Sequence, residues 1–145
     1  MRLVLFTILG VVACAGSNEA PLLRCADCAE TLVIQVIDGD TLDTARGRVR
    51  LFGVDAPERG ERCASEATDR LKELAGDSVR LEDGPRATDS FDRILAYVYT
   101  AGGASIDEAL IREGLATAWT QDGQHRDYLV GLEKEARRQE AGCLW

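Results

Sequence analysis

Thr31-Leu32-Val33-Ile34-Gln35-Val36-Ile37-Asp38-Gly39-Asp40-Thr41 is the stretch on which the fold turns. Residues 31–37 are β-branched and apolar, which predicts a largely buried strand. Asp38-Gly39-Asp40 is turn chemistry. Downstream, a short strand over Thr41–Thr44 and another over Arg48–Val54 flank Arg46-Gly47, which reads as a hairpin turn. Pro57 ends the second strand. Glu61–Ala75 then reads as a helix, because Cys63, Ala67, Leu71 and Leu74 form one apolar stripe, and Gly76 stops it.

Further on, Ser78–Leu81 predicts a short strand and Arg93–Thr100 a longer alternating one. Ser105-Ile106-Asp107-Glu108 has the form of a capping box, so a helix starts there and runs to Arg112, with Gly114 as its stop. A last helix spans about His125–Glu140, with Tyr128, Leu132 and Ala136 on one face. Five short strands and three helices predict an α+β domain around a small closed sheet. The pattern alone does not separate one small barrel from another.

The chain has 145 residues, 46% of them hydrophobic and only three of them Pro, which suits one packed domain and excludes a disordered chain. Residues 1–15 read as a signal peptide: Arg2 precedes the apolar run Leu3–Val12, too short to span a bilayer. Ala13-Cys14-Ala15 fits ordinary signal cleavage, whereas Val11-Val12-Ala13-Cys14 resembles a lipobox with Cys14 as the lipidated residue. The lipobox is the preferred of the two. Residues 16–29 read as a linker and residues 30–145 as the domain. The expectation is an exported bacterial protein, either lipid-anchored in the periplasm or cell envelope or freely secreted. It has no integral membrane span in its mature form and is a monomer.

Export makes the other cysteines legible as disulfides, and four cysteines allow three pairings. Cys63–Cys143 with Cys25–Cys28 is the favoured one. The first bridge closes a loop of about 80 residues, which the chain-entropy model values at no more than about 4.5 kcal/mol. The rival is a zinc site on Cys25-x-x-Cys28, for which the chain offers no second such pair and a single histidine, His125.

Asp40 and Asp55 each end a β-branched run beside a turn, where two carboxylates can share a hard cation or form simple turns. An EF-hand is excluded: counted from Asp38, position six is Asp43 and position twelve is Val49. Arg50 and Arg93 sit in strand-like runs and offer planar forks for phosphate if they share a site. Glu58, after Pro57, is placed to take a proton from water. The net charge of −8 opposes a broad polyanion-binding surface, so any nucleic-acid contact rests on local cations and a metal.

Three segments in order, Ile37-Asp-Gly-Asp-Thr41, Arg50-Leu-Phe-Gly-Val-Asp-Ala-Pro-Glu58 and Asp89-Ser-Phe-Asp-Arg-Ile-Leu-Ala-Tyr97, resemble the staphylococcal nuclease-like (thermonuclease) family. The likeness continues through Glu108–Ala116 and ends at Leu144-Trp145. It implies a five-stranded OB-type β-barrel with three α-helices. It also implies a hydrolase: a calcium-dependent endonuclease or phosphodiesterase that cuts DNA or RNA to 3′-phosphate products. In that scheme one Ca2+ is bound by Asp40, Asp55 and the Ala56 backbone carbonyl. Glu58 is the general base, and Arg50 and Arg93 stabilise charge on phosphorus. Trp119 is the candidate for stacking on a base, with core packing as its alternative role; Tyr97 and Tyr99 read as structural.

The chain also departs from the family. Asp92 replaces the usual Gly before Arg93, and Ser90 stands where Lys is frequent. These changes and the negative charge favour the competing reading, a non-catalytic OB module of the cell envelope that binds nucleic acid or protein.

Overall fold

The computed structural model describes residues 21–145, so the expected signal peptide and the lipidation expected at Cys14 lie outside the described residues. Strand β1 (Ala29–Asp38) bends through two register shifts and thereby serves two neighbours. Its first half pairs antiparallel with β5 (Ser78–Thr88), and its second half with β2 (Thr41–Thr44). β2 pairs with β3 (Gly47–Leu51), β3 runs parallel to β6 (Ile94–Thr100), and β6 returns to β5, closing the barrel. A two-stranded sheet, β4 (Val54–Asp55) with β7 (Thr117–Ala118), lies outside the barrel. The helices are α1 (Ala64–Ala75), α2 (Ile106–Arg112) and α3 (Arg126–Arg138). A closed five-stranded barrel with one parallel contact and three helices is the α+β, OB-type architecture that the resemblance implies.

Leu42, Val49, Leu51, Val79, Ala96 and Val98 fill the barrel, and Leu71, Leu110 and Leu129 bring the three helices onto the same core. Each large side chain buried here contributes about 1.5–3 kcal/mol. β1 is less buried than its composition predicts: Leu32 and Ile34 are 64% and 68% exposed. A barrel strand has one inner face, and the inner positions here are Thr31 and Val33.

Other departures have local causes. The expected strand over residues 48–54 breaks at Phe52-Gly53: Phe52 N–H still donates to Ala96 of the parallel neighbour, but Gly53 N–H donates to the Asp107 carboxylate at 2.8 Å. α1 begins at Ala64 rather than Glu61, since Cys63 has a left-handed backbone, φ 73°, that a helix cannot contain. β5 runs past Leu81 to Thr88. At Gly84 a Cβ would stand 2.6 Å from the Phe52 ring, so only glycine allows that strand to cover Phe52.

Ser105 caps α2 by accepting from Glu108 N–H at 3.1 Å. The reciprocal half of the expected capping box is absent, because the Glu108 carboxylate turns to Leu22 and Leu23 N–H instead. Arg24 also bridges to Ala104, and Cys25 N–H donates to Gly103. From Leu22 onward, the stretch expected to be a linker is therefore hydrogen-bonded to the domain. The disulfides are Cys25–Cys28 and Cys63–Cys143, with Cα separations of 5.4 and 5.7 Å. Bonded to each other, Cys25 and Cys28 are not available as zinc thiolates.

Asp107 is fully buried, and its two oxygens accept from Gly53 and Val98 N–H at 2.8 and 2.9 Å. Burial pushes its carboxyl up to about 6, against the opposing effect of those hydrogen bonds. Its protonated form is thus favoured by folding: the contribution is complete below the ordinary carboxylate range and lost as pH rises through about 6. Asp107→Asn is expected to flatten the fall in stability between about pH 4 and pH 6 by up to about 1 kcal/mol per pH unit. Denaturant unfolding across that range checks this, and an unaltered wild-type slope would refute it.

Candidate active site

The β1–β2 turn packs against α1 and the end of β4. At Gly39 a Cβ would lie 2.7 Å from Ala67 Cβ and 2.8 Å from Ala56 Cβ, so the turn sits this close only as glycine. Asp38 Oδ1 accepts from Asp40 N–H at 3.1 Å, and Asp40 C=O accepts from Leu51 N–H at 2.9 Å. These contacts aim the Asp40 side chain at the end of β3. Its Oδ2 accepts from Ala56 N–H at 2.9 Å and lies 3.2 Å from Arg50 Nη2. The same Nη2 lies 3.0 Å from Asp55 Oδ1. Asp40, Asp55 and Arg50 therefore meet at one point, and the contact shown for Ala56 is made by its N–H.

Asp40 is buried and Asp55 exposed. Burial pushes the Asp40 carboxyl up to about 6, although Arg50 and the Ala56 N–H oppose the rise. Both Nη groups of Arg50 are engaged, Nη2 by the two carboxylates and Nη1 by the carbonyls of Val54, at 2.6 Å, and Leu51.

Arg93 is held differently. In the turn before β6, Asp89 Oδ1 accepts from the N–H groups of Phe91 and Arg93, and its Oδ2 accepts from Arg93 Nε at 2.6 Å. Among the described residues, Asp89 is the only hydrogen-bonding partner of the Arg93 side chain, whose guanidinium also lies 5.5 Å from the Phe91 ring centroid, and both Nη groups are left for a ligand. Asp92 adopts φ 59°, a left-handed backbone that favours glycine, and Arg93 pairs with Asp89 rather than with Asp92.

Arg50 and Arg93 line one slot of about 230 Å³, floored by Phe52 and Leu95 and walled by Phe91 and Trp119. Trp119 is half-buried; its N–H donates to Gly53 C=O, and its indole Nε1 donates to Asp122 at 2.8 Å. Asp55, Ala56 and Glu58 border a second cavity, with Arg62, Thr117 and Leu144. Arg50, touching Asp55, stands between the two. Glu58 is exposed and is fixed through its backbone, its N–H donating to Glu61 Oε2 and its C=O accepting from Glu61 N–H, both at 2.9 Å. Tyr97 and Tyr99 are buried, as expected of structural residues.

The structure thus gathers Asp40, Asp55, Arg50 and Arg93, with Glu58 on the adjoining cavity. No cluster of three or more Asp, Glu, His or Cys suited to a metal occurs among the described residues. The donors that do converge are oxygens, the set a hard cation requires, and the buried Asp40 carboxylate gains from any added positive charge. They fit calcium, provided water and substrate oxygens complete a shell of six to eight. Residue-by-residue reading missed Asp89, Arg86 and Asp122, all of which shape the slot. Asp89 was legible in principle as an Asx turn four residues before an arginine.

An OB-type barrel thus brings two arginines into one slot and sets a carboxylate pair against one of them. The chain belongs to the staphylococcal nuclease homologue family, whose model matches residues 48–145. It is 35% identical over 127 residues to a protein described as an uncharacterized endonuclease from Escherichia coli, covering 83% of this chain and 79% of that one. It is 35% identical to a micrococcal nuclease from Shigella flexneri, covering 78% of this chain and 71% of that one. It is 36% identical over 129 residues to a thermonuclease from Staphylococcus intermedius, covering 79% of this chain and 74% of that one.

Proposed function

We propose that this protein is an exported, calcium-dependent nuclease that hydrolyses phosphodiester bonds in DNA or RNA and leaves 3′-phosphate ends. The observation that carries the reading is the shared slot: a phosphodiester seated against Arg93 also meets Arg50, and through it the Asp40–Asp55 pair. Family membership and the likeness to endonucleases and thermonucleases support nuclease action. The two disulfides support an oxidising compartment. Secretion or a lipid anchor at Cys14 is part of the same proposal, and no helix among the described residues is long and apolar enough to cross a membrane.

Arg93 offers its free guanidinium edge to two phosphate oxygens and holds the diester in the slot. Arg50 stabilises the charge that grows on those oxygens as water adds to phosphorus. Glu58 takes the proton of the attacking water, the bond from phosphorus to the 5′ oxygen breaks, and that oxygen takes a proton from solvent to leave as the 5′ hydroxyl. Asp40, Asp55 and the Ala56 carbonyl would hold calcium, which supplies charge neutralisation at a phosphate oxygen and orients the water. Trp119 offers a face on which the adjoining base stacks.

Arg93→Ala is expected to lower kcat by about 10²–10³, with a melting temperature close to wild type. A folded variant with the wild-type rate would remove Arg93 from the reaction. The whole reading is tested by cleavage of single-stranded DNA and RNA at low salt, with calcium or with a chelator, and by analysis of the product ends. Calcium-dependent cutting to 3′-phosphates supports it. Binding without cutting by the folded protein supports the non-catalytic OB module, which the net charge of −8 and Asp92 favour.

A further inference from the structure

Both arginines expected from the sequence have acidic partners: Arg50 meets Asp40 and Asp55, and Arg93 meets Asp89. On a chain of net charge −8, this leaves little positive potential to attract a polyanion. The same slot is lined by a third arginine, Arg86, in the distal part of β5. Its guanidinium lies 5.3 Å from the Phe52 ring centroid, a cation–π contact that lays it over the slot floor. Asp122 grips it from one side, accepting from Nε at 2.7 Å and Nη2 at 3.1 Å. Those two bonds leave three of its five N–H groups unused. The Asp122 oxygen that accepts from Arg86 Nη2 also accepts from Trp119 Nε1 at 2.8 Å. One carboxylate therefore fixes a cation and an aromatic face on the same wall.

We propose that Arg86 is a further substrate-binding residue, which takes a phosphate flanking the scissile one while Trp119 stacks on the neighbouring base. Asp122 is the positioning residue that orients both and, by its charge, restrains their affinity. A phosphate seated on Arg86 keeps the Asp122 pair intact, because it uses the guanidinium edge that Asp122 leaves open. The result is recognition of a strand by phosphate spacing and stacking, with the one polar group of Trp119, its Nε1, already taken by Asp122. The proposal rests on the nuclease reading above.

The test is binding of a fluorescent ten-nucleotide single-stranded DNA to the purified chain at several salt concentrations, with cleavage kinetics measured in parallel. Arg86→Ala is expected to raise Kd and KM by about tenfold, leave kcat within about twofold, and make the slope of log K against log salt shallower by about 0.7. Arg86→Lys is expected to restore the slope. Asp122→Asn keeps an acceptor for Trp119 but removes the counter-charge, so it is expected to tighten binding. A purely structural Arg86 would lower the melting temperature and leave the salt slope unchanged; that result overturns the proposal. Weaker binding by Asp122→Asn overturns the restraining role of Asp122. If the wild type cuts and Arg86→Ala cuts and binds equally well, this proposal alone fails. If the wild type neither cuts nor binds, the nuclease reading fails with it.

Discussion

Glu58→Gln is expected to reduce the rate of phosphodiester cleavage by about 10²–10⁴ while leaving the protein folded. In free energy this is about 3–5 kcal/mol of transition-state stabilisation. The side chain is exposed and is attached to the loop only through its backbone, by the hydrogen bonds with Glu61 at 2.9 Å. Its amide replacement therefore removes a proton acceptor and almost nothing structural. The loss should fall on kcat, with KM and the melting temperature little changed. Glu61 is the natural control: its carboxylate is already used by Glu58 N–H, so Glu61→Gln should cost much less in rate. If Glu58→Gln keeps the wild-type rate, another group accepts the proton, and Glu58 must be withdrawn from the mechanism.

The largest expected effect on stability lies on the far side of the domain. Glu108 is fully buried and accepts from Leu22 and Leu23 N–H at 3.0 and 2.8 Å, from Arg112 Nε at 2.8 Å and from Tyr128 OH at 2.9 Å. Burial pushes its carboxyl up, but the hydrogen bonds from Leu23, Leu22, Arg112 and Tyr128 outweigh this and hold it below its usual value. The ionised form is therefore the one that folding favours, and its contribution is lost as pH falls through the lowered value. Glu108→Ala should destabilise the protein by about 3–5 kcal/mol, because Arg112 and two backbone donors lose their acceptor. Residues 22–25 should then become protease-sensitive before the barrel unfolds. Urea unfolding with limited proteolysis reads both effects. A cost below about 1 kcal/mol would show that water satisfies these donors and that the anchor is dispensable.

Much of the fold was readable from local pattern. The turn at Asp38-Gly39-Asp40, the helix start at Ser105 and the strand expected over Arg93–Thr100 depend on neighbours in the chain and stand where the pattern puts them, although that strand is buried without a break from Leu95 to Tyr99. Where the pattern misled, a distant group had intervened. The Asp107 carboxylate draws off the Gly53 N–H and breaks a strand. Glu108 abandons the second half of a capping box for Leu22 and Leu23.

The candidate site divides in the same way. The sequence by itself determined which chemistry is present: two aspartates and a glutamate near turns, two arginines on strands, and four cysteines that the described structure joins as expected. Only the tertiary structure decided how those groups are used. The parallel pairing of β3 with β6, between residues more than forty positions apart, brings Arg50 and Arg93 to one slot. The close approach of Gly39 to Ala56 carries Asp40 to Arg50 and Asp55. The same folding brings Arg86 to the slot and sets Asp122, thirty-six residues further along the chain, against Arg86 and Trp119, although neither stood out as a site residue. Residue type and local spacing set secondary structure and chemical capacity because those depend on near neighbours. Ion pairing, burial and the lining of a cavity depend on long-range strand register, which no local pattern encodes.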